Sequence, residues 1–184
     1  NYTMELHKTP NDPRYGELWG LHNVGQSGGV ADADVDAPEA WVKSIGNDSI
    51  TVAVIDTGCD ITHPDLAPNL WVNQGEIAGN GVDDDGNGYV DDIHGYNFGD
   101  DNANVVDANG HGTHCSGTIG AVGNNQIGVV GVNWKTKIMV CKIENSNGSL
   151  TVDAIIGALE YAWRNGAKVS NTSYGGYFFD QEMH

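Results

Sequence analysis

An unbroken run of β-branched and small residues, Ile50-Thr51-Val52-Ala53-Val54-Ile55, stops at Asp56-Thr57-Gly58. A strand buried on both faces reads this way, without polar alternation. The run predicts a strand over Ser49–Asp56, and Lys137–Ile143 (KIMVCKI) predicts a second. From Thr151 to Arg164 the spacing changes: Ile155, Leu159 and Ala162 recur at helical intervals, Asp153 falls in the first turn and Gly166 follows as a stop. Ala167–Ser173 returns to strand character, so this part reads strand, helix, strand, a right-handed parallel crossover. His111–Val122 predicts a weaker helix of small residues able to approach its neighbours closely. Between Gly75 and Gly131 glycine, acids and asparagine cluster, and loops are expected. The pattern implies an α/β fold: a doubly wound, mostly parallel sheet with helices on both faces and sites at the carboxyl ends of its strands. Asp56 falls at such an end.

With 184 residues, the chain suits one domain or most of one. Eight basic residues against 25 acidic ones give a net charge of −17, which opposes binding to nucleic acid or to an anionic membrane and favours metal cations or cationic partners. No stretch approaches the roughly 20 apolar residues that span a bilayer. Asn1 opens on polar sequence without a signal-peptide pattern, as a processed terminus would. Cys59, Cys115 and Cys141 are too few and scattered for a disulfide framework, and Cys141 reads as a core thiol.

Chemistry concentrates in three places. Asp56 ends a buried strand, where a carboxylate can be held ionised and aimed; as DTG alone it could equally be a turn acid. His111 opens the small-residue helix between two glycines, where it is either a base or a ring satisfied by backbone. His114 makes a His-x-x-His, which without a third ligand is a poor zinc signal. GVDDDGNGYVDD places Asp83, Asp85 and Asn87 at alternating positions, then a glycine, the Tyr89 carbonyl and Asp91. These are the first nine positions of a calcium loop. Position twelve is His94 rather than a bidentate glutamate, so a further ligand, such as Asp92, is needed.

Taken together, VIDTG and HGTHCSG make residues Asn11 to Gly176 resemble the subtilisin-like serine proteases, in particular the thermitase-like secreted bacterial branch. The resemblance implies Asp56 as the acid that orients the histidine and His111 as general base. It implies that Cys115 packs beside the site. Gly148, Ser149 and Leu150 resemble the edge strand that pairs with an extended polypeptide substrate, and Ser173, Tyr174 and Gly175 the opposing strand. Tyr174 stands where the family usually has leucine. The resemblance also implies a tight calcium site from Asp12, Asp65, Val122, Asn125, Ile127 and Val129, with Asn125 offering its side chain and the apolar residues their carbonyls. A weaker site maps to Asn97, Asp100, Asn102 and Asn104, with Asp101 and Asp107 nearby.

The family's oxyanion asparagine, in an AAAGN-like strand, and its serine, in a GTSMA-like helix start, have no counterpart here. Ser116, Ser149 and Ser173 lie in neither setting. Residues 1–184 are therefore expected to be the N-terminal portion of one subtilisin-like catalytic domain, with the remaining C-terminal part, as a separate chain or otherwise, supplying the serine. The expected protein is a secreted, calcium-stabilised endopeptidase with two or more calcium sites. The rival expectation is an inactive fragment or degenerate scaffold that binds calcium and peptides.

Overall fold

The computed structural model describes residues 7–175. Four parallel strands form one sheet: β1 (Gly46–Asp56), β2 (Gly95–Asn97), β3 (Lys135–Lys142) and β4 (Val169–Asn171), in the order β2-β3-β1-β4. The helices are α1 (Ala37–Lys43), α2 (His111–Gly120) and α3 (Val152–Arg164).

The absence of alternation in β1 has the expected cause. Ala53 and Ile55 pack with Met139, Cys141 and Ile143 against Ala154, Ile155, Ala158, Tyr161 and Ala162 of α3. Their neighbour Val54 packs with Ile138 and Val140 on the opposite face, against Leu66, Leu70, Val105 and Ala121 beside α2. Each such fully buried Val, Ile or Leu contributes roughly 1.5–3 kcal/mol, an upper range when the unfolded chain is already partly compact. Thr151 caps α3 by accepting the Ala154 amide on its hydroxyl at 3.3 Å, Asp153 and Arg164 complement the dipole at the two ends, and Gly166 has a φ of +81° where the chain leaves.

Several boundaries differ from the sequence expectation for local reasons. β1 starts at Gly46 because an irregularity in register between Gly46 and Thr51 lets its polar beginning pair with β3. The second strand runs Lys135–Lys142. α2 ends at Gly120, since Ala121 turns extended (φ −58°, ψ 136°) and the Val122 amide bonds the Asp65 carbonyl. β4 pairs with β1 rather than β3, so the α3 crossover steps over the central strand. Gly176 and the FFDQEMH segment lie outside the described residues. Among the described residues, no helix is long and apolar enough to cross a membrane.

Candidate active site

Asp56 is the last residue of β1, and its side chain is 3 % exposed. Its Oδ1 accepts hydrogen bonds from Nδ1 of His111 and from the Thr57 amide, both at 2.7 Å. His111 is the first residue of α2, and its side chain is 49 % exposed. A buried carboxylate thus fixes one ring nitrogen, while Nε2 has no hydrogen-bond partner among the described residues. Two glycines make this approach possible. A Cβ on Gly58, which has a φ of +115°, would sit 2.6 Å from the Val105 carbonyl oxygen. A Cβ on Gly112 would collide with the Gly58 backbone and lie 3.2 Å from the Asp56 Cβ. Gly58, two residues after Asp56, lets the strand end meet the 105–107 loop, and Gly112, directly after His111, lets the helix start touch the strand end.

The Asp56 hydrogen bond, and then its negative charge, hold the His111 imidazolium above the ordinary histidine range, against a small opposing effect of desolvation. The sign follows: the stability from this pair is fully present below the unfolded histidine value and is lost as pH rises through the folded one. We expect the His111 ring to titrate above the ordinary histidine range in a proton NMR series. Asp56→Asn should return it to the ordinary range; an unmoved titration in that variant would contradict the pairing.

Asp107, which sequence reasoning placed only beside a weak cation site, has a different duty. Its Oδ1 accepts from the Thr57 hydroxyl at 2.9 Å and the Asn109 and Gly110 amides at 3.0 and 2.9 Å. Its Oδ2 accepts from the Thr113 amide and hydroxyl at 2.9 and 2.7 Å. Thr57 in turn accepts the Gly112 amide at 2.9 Å. Burial opposes ionisation of Asp107, but the Thr113 hydroxyl and the Gly110, Thr113 and Asn109 amides outweigh it and pull the carboxyl down to about 2. Asp107 is a positioning residue for the start of α2. An acid just ahead of a helix start was the one available signal. Asp107→Asn should cost about 1–3 kcal/mol of unfolding free energy, because amides that pointed at a charge lose it. Denaturant unfolding with no shift in midpoint would overturn that role.

Cys115 lies one turn along α2, with Sγ 3.9 Å from His111 Nδ1. Burial, then the Asp56 charge, raise its pKa against a hydrogen bond from Ser173, so it remains a thiol at neutral pH and packs rather than attacks. No serine hydroxyl bonds His111 among the described residues.

Of the residues expected to bind substrate, Gly148, Ser149 and Leu150 form an exposed turn rather than an edge strand. The Asn145 amide donates to the Ser149 carbonyl, the Ser149 amide to Asn145 Oδ1, each at 3.0 Å, and Glu144 and Leu150 form an isolated antiparallel bridge. Gly148 has the positive φ, +74°, that closes the turn. Ser173, Tyr174 and Gly175 continue beyond β4; Ser173 and Gly175 are exposed, while Tyr174 packs partly buried against the α3-side core.

Asp12, Asp65 and Asn125 come together. Asp12 accepts the Asn124 and Asn125 amides at 2.7 and 3.3 Å, and Asp65 accepts the Asn125 side-chain amide at 2.8 Å and the Val129 amide at 3.0 Å. Val122 donates its amide to the Asp65 carbonyl, and Ile127 donates to Asn125 Oδ1. Two carboxylates at 4 % and 1 % exposure, with neutral amide donors and, among the described residues, no basic side chain bonded to them, fit a cation.

In the acidic loop the structure redistributes the expected ligands. Glu76, absent from the sequence expectation, brings a carboxylate oxygen to Asp83 and Asp85, all within 4.8 Å of one another. Asp83 also accepts the Gly86, Asn87 and Gly88 amides. Asn87 donates to Asp85, and its Oδ1 accepts the Tyr89 amide. Asp91 instead caps the turn at Gly79, Asn80 and Gly81. Asp92 is fully buried, held by the Tyr161 hydroxyl at 2.6 Å and by the Asn73 and Asn87 side chains. Burial raises its pKa against those bonds. His94 bonds the Trp71 carbonyl. Around the weak site, Asn97 caps the Gly99 and Asp100 amides, Asn102 and Asn104 stabilise the same turn, and Asp101 accepts the Tyr96 hydroxyl. Those groups are spent on local structure.

The chain is 37% identical over 176 residues to the cell wall-associated protease of Bacillus subtilis, covering 94% of this chain and 17% of that protein. It is 32% identical over 168 residues to thermitase of Thermoactinomyces vulgaris, covering 91% of this chain and 48% of that one. Among solved structures, fervidolysin of Fervidobacterium pennivorans, a keratinolytic enzyme related to subtilisin, superposes with a TM-score of 0.64 at 30% identity, covering 94% of this chain and 22% of that one. The chain thus spans less than half the length of these relatives. Residues 47–182 match the Subtilase family, and with an Asp56–His111 pair at the carboxyl end of a parallel sheet, the chain belongs to that family of serine proteases.

Proposed function

We propose that residues 1–184 form the N-terminal portion of a single subtilisin-type catalytic domain, and that the whole enzyme is a calcium-stabilised serine endopeptidase. The observation that carries this is the 2.7 Å bond from His111 Nδ1 to a buried Asp56. His111 takes the proton of a serine through Nε2 as that serine attacks a peptide carbonyl, then returns it to the leaving amine. Asp56 holds the tautomer and stabilises the imidazolium that forms. The serine comes from outside residues 1–184. The extended polypeptide substrate runs between the turn at Gly148, Ser149 and Leu150 and the segment at Ser173, Tyr174 and Gly175. Its backbone supplies most of the binding, once Ser149 exchanges its bonds to Asn145 for bonds to the substrate.

Calcium is held between Asp12, Asp65 and Asn125, with carbonyls of Val122, Ile127 and Val129 completing the site. A second ion sits between Glu76, Asp83 and Asp85. Calcium there supplies charge neutralisation and loop cross-linking, not chemistry. An extracellular site of action suits such sites, since free calcium there is high enough to keep them loaded.

The rival reading is a catalytically inactive fragment that binds calcium and peptides. Intact-mass spectrometry under denaturing conditions, after exposure to an organophosphate serine probe, separates them. A single adduct on sequence outside residues 1–184 is expected. No adduct on any polypeptide in active-site-saturating probe would refute the enzymatic reading.

A further inference from the structure

A second feature lies beside the dyad. A cleft of about 480 Å³ opens between the loop that precedes α2 and the turn that follows β3, lined by Asp100, Asn109, Lys142, Glu144, Ser146 and Gly148 among others. Its position is fixed from both sides. The Ile143 amide donates to the Asp56 carbonyl at 2.9 Å, so Glu144 is one residue from the backbone that borders the catalytic strand end. Asn109 is two residues before His111, in the turn that Asp107 organises, and its side-chain amide reaches Glu144 Oε1 at only 3.3 Å. Glu144 Oε2 accepts no hydrogen bond among the described residues.

The charges lining the cleft are not balanced at its surface. The one cation, Lys142, is 7 % exposed and donates its ammonium to the Val106 carbonyl at 2.7 Å, so it belongs to the floor. Asp100 is exposed and accepts the Ser146 amide at 2.9 Å, which leaves it a charged acceptor. Glu144 is half-buried at the wall. Gly148, of the turn expected to run beside substrate, borders the same cleft.

We propose that Glu144 is a specificity-determining residue, and that the cleft it borders with Asn109 takes a lysine or arginine side chain of the polypeptide substrate next to the bond that is cut. A long cationic side chain can lay its methylenes along the Val106 and Ala108 edge and bring its charged end to Glu144. A leucine of similar reach would leave the carboxylate desolvated without a partner. An acidic residue would meet two like charges. The inference rests on the protease reading, since it assigns a side-chain preference to that same site.

The test uses the full chain and two tetrapeptide amides that differ only in lysine against norleucine, titrated at low salt and followed by NMR. The Asn109 side-chain amide and the Gly148 amide report the cleft, and the downfield Nδ1 proton of His111 reports the dyad separately. The lysine peptide should bind about tenfold more tightly, which is about 1.4 kcal/mol. Glu144→Gln should bring the two peptides within about twofold, while an unchanged melting temperature shows that the variant is folded. Asn109→Asp should widen the preference, and high salt should narrow it. Equal binding of both peptides, or a lysine preference that survives Glu144→Gln, overturns the proposal. Binding of neither peptide with the downfield proton intact overturns it while leaving the protease reading standing. Loss of that proton removes both.

Discussion

Replacing His111 by alanine in the serine-bearing enzyme is expected to lower kcat by about a million-fold, the scale known for the catalytic histidine of subtilisin, itself a member of this family. The size follows from the roles of the two residues. Without the ring, nothing accepts the serine proton at the moment of attack, and nothing gives it to the leaving amine. Asp56→Asn should cost less, on the order of ten-thousand-fold, because an amide at that position favours the wrong imidazole tautomer while the ring itself stays in place. The two losses should not add when combined, since both residues act on one proton transfer. Peptide hydrolysis with substrate saturating, compared between the two single variants and the double variant, measures this. A His111→Ala enzyme that keeps even a hundredth of its kcat would remove His111 from the chemistry.

The second large effect concerns calcium. Asp12 and Asp65 are buried at 4 % and 1 % exposure, and they join segments far apart in sequence: Asp12 meets Asn124 and Asn125, and Asp65 meets Asn125 and Val129. Both carboxylates meet at Asn125, so an ion there would tie the N-terminal segment to the loop after α2. An ion held at a thousand times its dissociation constant stabilises the folded state by about 4 kcal/mol. For a domain of this size that corresponds to roughly 8–16 °C in melting temperature. Chelation should lower the melting temperature by about that much, and Asp65→Asn should melt low and lose most of its response to chelator. Glu76→Gln should leave that response largely intact, because its loop is separate. Identical melting in excess calcium and in chelator would refute the calcium reading.

The parts of the site that could be read in the sequence are those whose signal is local. VIDTG announces a buried strand ending in an acid, and HGTH a histidine on a close-packing helix, so Asp56 and His111 stand out in the sequence alone. α3 was legible to within a residue, because Thr151, Asp153 and Gly166 mark its ends independently of its apolar face. Asp107 was not, because its partner Thr57 is 50 residues away and only the fold brings them together. Glu76 lies outside the nine-position loop pattern and enters the acidic cluster through a turn that no spacing rule describes. Asp91 matched the pattern in letters and Asp92 was the further ligand expected beside it, but Asp91 caps a turn and Asp92 accepts the Tyr161 hydroxyl. The neighbour of β4 was likewise hidden: strand, helix, strand fixes a parallel crossover but not how many strands it passes.

The carboxyl of Asp107, held at about 2, separates two events that acid would otherwise merge. The stability it supplies is fully present above the unfolded aspartate value and is lost progressively as pH falls from there through that low folded value. His111, raised above the ordinary histidine range, takes its proton far earlier on the way down. Between those two points the turn ahead of α2 keeps its shape while the base is occupied. In the proposed enzyme, mild acid would therefore occupy the base while this turn stays in place, and neutralisation would free it again.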